Sequence, residues 1–265
     1  MIKRTIPRIM VIFLVLTTSY IRSFSISDWF TRAHVETLPA KEYKVSANST
    51  LEIRNIKGSI NVKSWDHESK IALDVVKKGT EQALHDTTIG IVHKESNLII
   101  TTYSSSPHIA TIDYTLMVPQ NAQLSTVSTE KGDIKIKQVR SSMRVTASEG
   151  NIEISDSVQS VIAKTNKGYI RVRQRTLTEP SSLFLETLQG NVYLSLPRNT
   201  NALLQARTQN GTITSEQPIT LNTITTKLNK EFWNSIKSDI KGILGDGGAP
   251  ITIDVTKGTI ALTQY

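Results

Sequence analysis

From about residue 45 onward, apolar and polar residues alternate with a period of two, in short runs punctuated by glycine. Seven glycines (Gly58, Gly132, Gly150, Gly168, Gly190, Gly211 and Gly258) share the same surroundings. Two positions after each sits a β-branched aliphatic: Ile60, Ile134, Ile152, Ile170, Val192, Ile213 and Ile260. Four positions after, Val62, Ile136, Ile154, Val172, Leu194 and Leu262 are apolar, and Ser215 breaks the row. Five positions before are Ile53, Val127, Val145, Ala163, Leu185, Ala206 and Ile253; three before, Thr129, Thr165, Thr187 and Thr208 recur. Period-two alternation predicts extended strands whose alternate side chains share a face. Each unit therefore reads as strand, glycine turn, strand, with glycine supplying a backbone conformation closed to other residues.

Such a unit, about 20 residues long, cannot bury its apolar face alone, whereas stacked copies can. The spacings from Gly132 onward are 18, 18, 22, 21 and 47, the last a little over two units. The predicted fold is all-β: a single-domain β-solenoid of stacked coils, right-handed by the usual preference of parallel crossovers. An antiparallel sandwich is the competing architecture, but it has no reason to repeat one template at fixed offsets. Stacking also predicts an outward ladder of Lys135, Glu153, Arg171, Tyr193 and Thr214, with opposite charges side by side.

Three stretches break the template. Residues 26–42 read as a linker or an N-terminal cap, and the solenoid is placed at 43–265. Residues 63–118 read as longer strands at 70–77 (Ile71, Leu73 and Val75 inward), 89–93, 98–102 and 109–118, with a helical turn near 80–85. Residues 222–249 form an insertion in which Leu228, Phe232, Trp233, Ile236, Ile240, Ile243 and Leu244 fall at helical spacing. A short helix covering a solenoid wall or end satisfies that pattern; a lipid-surface or partner-binding helix is the alternative.

The N-terminus differs from the rest. Lys3, Arg4 and Arg8 precede the apolar run Ile9 to Leu16, and Ser23 and Ser25 flank Phe24. A basic start, a short apolar centre and a small-x-small exit predict a signal peptide over residues 1–25. An uncleaved anchor is the alternative, although eight apolar residues fall well short of the ~20 that span a bilayer. Losing residues 1–25 removes Lys3, Arg4, Arg8 and Arg22 and no acid. The basic count then falls from 31 to 27 against 23 acids, and the net charge from +8 to +4. There is no cysteine, which excludes disulfides, thiolate metal sites and a thiol nucleophile.

Several segments carry a resemblance. Val118-Pro119-Gln120-Asn121-Ala122 followed by Thr129-Glu130-Lys131-Gly132-Asp133-Ile134 is one. Leu196-Pro197 with Asn210-Gly211-Thr212-Ile213 is another, as are Gly247-Gly248-Ala249-Pro250 with Lys257-Gly258-Thr259-Ile260 and the early Asn55-Ile56-Lys57-Gly58 with Trp65-Asp66. Over roughly residues 45–265 the chain resembles the bacterial β-strand-repeat family labelled "putative adhesin", a domain of unknown function. The resemblance implies an extracytoplasmic β-solenoid with an adhesive role, and some relatives look like envelope-stress components. It supplies no catalytic residues to carry over, and the long 222–249 insertion departs from its compact pattern.

The sequence holds no nucleophile-elbow, zinc-protease, phosphate-loop or calcium-loop motif. The five histidines are scattered over the first 108 residues, and Asp66-His67-Glu68 reads as a solvated turn, since neighbouring residues on a strand face opposite ways. Glu149 and Glu153 are close in sequence, but Lys135 and Arg171 flank Glu153 in the predicted ladder. No catalytic, cofactor-binding or metal residue is assigned, and the chain reads as a non-enzyme. The candidate contact is Arg171, Arg173 and Arg175, alternating along one strand so that all three face outward. They would suit an anionic surface: a cell-surface glycan, anionic lipid or envelope protein. Nucleic acid would want more interleaved aromatics. The functional expectation is an exported, non-catalytic adhesin or envelope scaffold in periplasm, at the cell surface or secreted. A periplasmic stress- or ligand-sensing module is the alternative, and a polysaccharide-active enzyme stands third.

Overall fold

The computed structural model describes residues 33–46, 48–221 and 238–265. The elements are β1 (His34–Lys44), β2 (Thr50–Lys57), β3 (Ile60–Trp65), β4 (Lys70–Gly79), α1 (Glu81–Asp86), β5 (Thr87–Lys94), β6 (Asn97–Ser104) and β7 (Thr111–Pro119). They continue with β8 (Gln123–Lys131), β9 (Ile134–Lys137), β10 (Met143–Glu149), β11 (Ile152–Ser157), β12 (Val161–Lys167), β13 (Ile170–Gln174) and β14 (Leu183–Gln189). The last are β15 (Val192–Leu196), β16 (Ala202–Asn210), β17 (Ile213–Ser215), β18 (Thr220–Leu221), β19 (Asp239–Leu244), β20 (Ala249–Lys257) and β21 (Ile260–Gln264). The fold is the expected all-β stack. Strands before the template glycines make one sheet, joined by β5, β6, β18 and β19, in the order β18-β19-β16-β20-β14-β12-β10-β8-β2-β6-β5. Strands after them make the other, joined by β1, β4 and β7, in the order β1-β4-β7-β3-β9-β11-β13-β15-β21-β17.

Within the stack, neighbouring coils pair in parallel at identical template positions. Ile152 faces Ile134 on one side and Ile170 on the other, and Val161 faces Met143 and Leu183. The inward rows, Ile60, Ile134, Ile152, Ile170, Val192 and Ile260 against Ile53, Val127, Val145, Ala163, Leu185 and Ile253, form one continuous buried core between the sheets.

The glycines themselves form a column. Six of them have φ between +119° and +158°; Gly211 is not among these. A Cβ added at Gly132, Gly150, Gly168 or Gly190 would lie 1.9–2.1 Å from the carbonyl oxygen of the glycine one coil earlier. No side chain fits that gap. The threonines three positions earlier close it: Thr165 Oγ1 donates to the Gly150 carbonyl at 2.9 Å and Thr187 to that of Gly168 at 3.1 Å. At the first coil, Gly58 stacks against Ile112 instead, and Asn55 takes the threonine position, its amide donating to the carbonyls of Ile112 (2.8 Å) and Gly58 (3.2 Å). Asn55 also accepts from Thr102, which bonds the buried Tyr114 hydroxyl at 2.7 Å. Burial pushes the Tyr114 phenol up to about 12.

The stacking order departs from chain order. The coil at Gly258 sits between those at Gly190 and Gly211: β20 pairs with both β14 and β16, and β21 with both β15 and β17. Thr208 accordingly donates to the Gly258 carbonyl. The expected outward ladder is corrected at its end, because Tyr193 faces Ala261, and Thr214 lies beyond it. This arrangement gives the C-terminal strands partners on both sides and leaves the edge to the short β17 and β18.

Both ends of the stack turn antiparallel, with β1 on β4 and β4 on β7 at one end, and β19 on β16 and β18 at the other. The described part of residues 26–42 thus enters an edge strand. The helical turn appears as α1, capped by Thr80. The helical reading of the 222–249 insertion is corrected where the insertion is described: Ile240, Ile243 and Leu244 lie in strand β19. Buried Ile240 and Leu244 are four apart, a spacing that serves a helix face and a strand face alike. Leu228, Phe232, Trp233 and Ile236 lie outside the described residues.

Gly168→Ala should be strongly destabilising. The backbone conformation alone costs on the order of 1–3 kcal/mol in a residue with a Cβ, and the clash with the Gly150 carbonyl adds to it. Calorimetry should show Tm lowered by roughly 5–10 °C or more for a domain of this size. Thr165→Val keeps the shape but strands that carbonyl and should cost about 1–2 kcal/mol, with Thr165→Ser retaining most of the stability.

Candidate ligand-binding groove

The two long edges of the stack differ because different residues make the corners. At the glycine edge the corner is closed by short-range bonds. At three of the turns the side chain after the glycine accepts from the backbone of the next coil: Asp133 Oδ1 from Asn151 N at 2.8 Å, Asn151 Oδ1 from Tyr169 N at 3.0 Å, and Asn191 Oδ1 from Thr259 N at 2.9 Å. Asp133 is therefore occupied in holding the turn.

The outer face between the edges carries the predicted ladder. Glu153 faces Lys135 and Arg171, with nitrogen–oxygen separations of 3.4 and 3.7 Å. The Tyr169 hydroxyl donates to Glu153. That bond, helped by Lys135 and Arg171 and opposed by partial burial, holds the Glu153 carboxyl below its ordinary range; the same bond, helped by burial and opposed by Arg171, raises the Tyr169 phenol. The Arg171 guanidinium lies 5.1 Å from the Tyr169 ring centre and 5.2 Å from that of Tyr193. Arg173 lies 4.3 Å from the Tyr265 ring centre and 3.9 Å from Asp156. All three candidate arginines face outward and are exposed, but the structure separates them. Arg171 and Arg173 already have partners within their own sheet, and Arg175 reaches the opposite edge.

At that loop edge, three hollows of about 570, 410 and 280 Å³ adjoin one another, and Arg140 lines all three. The edge is built from the connections leaving β3, β7, β9, β11 and β13. They are held in register by Arg140 N donating to the Gln120 carbonyl (2.9 Å), Met143 N to that of Ser160 (3.0 Å) and Ser142 Oγ to Gln159 Oε1 (3.2 Å). One lobe is lined mainly by amides and hydroxyls, among them Asn48, Asn121, Gln123, Ser142, Gln159 and Ser160. The other gathers Lys63, Trp65, Arg140 and Arg175 with Asp66 and Asp156. Among the described residues, Lys63, Arg140 and Arg175 have no side-chain hydrogen bond or ion pair. Gln138 and Asp156, both with φ of 60°, line the same lobe at equivalent template positions. Two non-glycine residues in the left-handed region at one groove mark a corner whose shape is held against local preference.

A further hollow, about 470 Å³ on the outer face of the other sheet, also has cations on its wall, but both are neutralised. Arg54 pairs with Glu52 at 2.5 Å and Lys164 with Glu186 at 2.6 Å. Among the described residues, no three acidic or histidine side chains converge to hold a metal. Asp66, His67 and Glu68 form an exposed turn. The glycine alignment could not reveal the groove, because it registers strands and the groove is made of the connections between them. Arg140 and Trp65 were visible in the sequence, but what unites them is the stacking of loops from different coils.

The described residues thus form a β-solenoid of parallel coils with an open polar groove on one edge. The family comparison agrees with that class: the Toastrack DUF4097 profile matches residues 17–263, and the chain belongs to that family. No curated protein matches the sequence. Solved structures similar to it include a putative cell adhesion protein from Clostridium sporogenes (8% identity, TM-score 0.36, covering 89% of this chain and 100% of that one). Others are a putative adhesin from Bacteroides fragilis (13%, 0.41, 87% and 97%) and a putative lipid binding protein from Parabacteroides distasonis (10%, 0.29, 89% and 98%).

The Glu153 cluster makes a pH prediction. A carboxylate held below its ordinary range contributes stability above the unfolded pKa, and that contribution is lost as pH falls through the folded value. Thermal unfolding followed from neutral pH downward should therefore show an acid limb that is shallower in Glu153→Gln. The difference should be small, because the cluster is largely exposed.

Proposed function

We propose that the protein is an exported, non-catalytic binding solenoid of the bacterial cell envelope, serving as an adhesin or envelope scaffold. The observation that carries this reading is the loop-edge groove, where cations without a side-chain partner among the described residues and a wall of amides and hydroxyls stand on a rigid stack of paired strands. Such a surface offers many directional contacts and no enclosed reaction chamber. Strand pairing fixes the groove before any ligand arrives, which reduces the ordering cost of binding. The predicted signal over residues 1–25, which lies outside the described residues, and the family resemblance support placement beyond the cytoplasmic membrane.

The reading is tested by protease shaving of intact producing cells, followed by fractionation and detection of a C-terminal tag. A surface adhesin should lose its signal on shaving while a periplasmic marker protein survives. Protection from shaving together with release in the periplasmic fraction would replace the adhesin with a periplasmic scaffold or sensor. Recovery in the cytoplasmic fraction would overturn export altogether.

A further inference from the structure

We propose that the loop-edge groove binds an acidic polysaccharide, with Arg140 and Arg175 engaging its carboxylates and the amide and hydroxyl wall engaging its sugar hydroxyls. This deepens the binding reading above and rests on it.

Four features select this ligand class. The first is repetition. Equivalent loops of successive coils, at Gln120, Arg140, Gln159 and Ser182, lie side by side at the strand spacing of ~4.8 Å, linked through Arg140 N to the Gln120 carbonyl, Ser142 to Gln159, and Val161 N to the Ser182 carbonyl. That spacing is close to the length of one pyranose unit along an extended chain, so a linear glycan can present successive units to successive coils. The second is lining chemistry: neutral amides and hydroxyls donate and accept in the same wall, which matches ligands dense in hydroxyls. The third is charge. Arg140 and Arg175 carry no side-chain partner among the described residues, whereas Arg171 and Arg173 have theirs. A free guanidinium offers a bidentate fork suited to a carboxylate.

The fourth feature argues against a lipid surface. Among the described residues the exposed large apolar side chains are Val35, Val92, Tyr103, Leu188, Leu203 and Tyr265, and none of these lines the groove. Trp65 is half-buried at the rim, its indole N–H donating to the Lys70 carbonyl at 3.0 Å. With the His67 ring packed at 4.6 Å from it, the indole is held at the rim and is poorly placed for insertion among acyl chains.

The test measures binding of the full chain, by calorimetry at low salt, to a defined polyuronate (oligogalacturonate). Dextran oligomers of equal length, inorganic phosphate and vesicles of phosphatidylglycerol and phosphatidylcholine serve as alternatives. Oligogalacturonate should bind, weaken as salt is raised, and lose about tenfold or more in affinity in Arg140→Ala. Arg140→Lys should recover part of that loss, and Arg171→Ala should leave binding within about twofold. Arg140 is exposed, so thermal unfolding of the variant should match the parent.

Equal oligogalacturonate binding by Arg140→Ala and the parent overturns the site, and equal binding of dextran overturns the charge selection. Binding of vesicles or phosphate in place of oligogalacturonate overturns the ligand class. An arm with isolated envelope fragments separates the two levels. If oligogalacturonate fails but fragment binding still depends on Arg140, the ligand class falls and the binding reading stands. If fragment binding ignores Arg140, the groove falls with it.

Discussion

The structure depends on one close approach: the backbone of each coil passes within hydrogen-bonding distance of the next at a corner where no side chain fits. Gly150 N donates to the Lys167 carbonyl, Gly132 N to that of Glu149, and Gly168 N to that of Gln189, so the turn itself continues the ladder from sheet to sheet. A Cβ at these positions would lie about 2 Å from a carbonyl oxygen. Glycine is required for space as well as for positive φ, and the space requirement holds at Gly211, where the φ requirement is absent. Threonine three positions earlier completes the corner by satisfying the glycine carbonyl. At the first coil, where the stack meets antiparallel strands, the Asn55–Thr102–Tyr114 network does that work.

The two edges of the solenoid follow from that closed corner. With one edge compressed to backbone, variation in loop length is confined to the other, and polar loops from several coils accumulate there as a shelf. Strand pairing on both sides holds the shelf rigid, while the αL residues Gln138 and Asp156 set its contour. Arg140 is central because its backbone is pinned to Gln120 while its side chain is left unpartnered among the described residues. The acid–base cluster of Glu153, Tyr169 and Arg171 belongs to a different surface, where each charge is answered by a neighbour on the ladder.

Most of the stack was legible from spacing. The glycine template placed the paired strands, their inward rows and the outward Lys135–Glu153–Arg171–Tyr193 neighbours, and the helical turn at α1 was legible in the stretch that breaks the template. Legibility failed in three identifiable ways. Ile240 and Leu244, four apart, satisfy helix and strand periodicity alike, so the pattern predicts helix where β19 forms. Chain order predicts Thr214 beside Tyr193, whereas the stacking order puts Ala261 there. Alternation along a strand groups Arg171, Arg173 and Arg175, but it is local: the partners Glu153, Asp156 and Tyr265 of the first two come from elsewhere in the stack, and Arg175 lines the loop-edge groove instead.

The sequence alone thus determined the repeating unit, because steric demand at a glycine corner and alternation on a strand are local properties written residue by residue. Only the tertiary structure decided the order of the coils and the location of the groove. Insertion of the Gly258 coil beside Gly190 depends on which free strand edges compete for it, and the environment of Arg140 depends on loops separated by tens of residues. Both are set by pairing energies between distant segments, which no single-chain periodicity records.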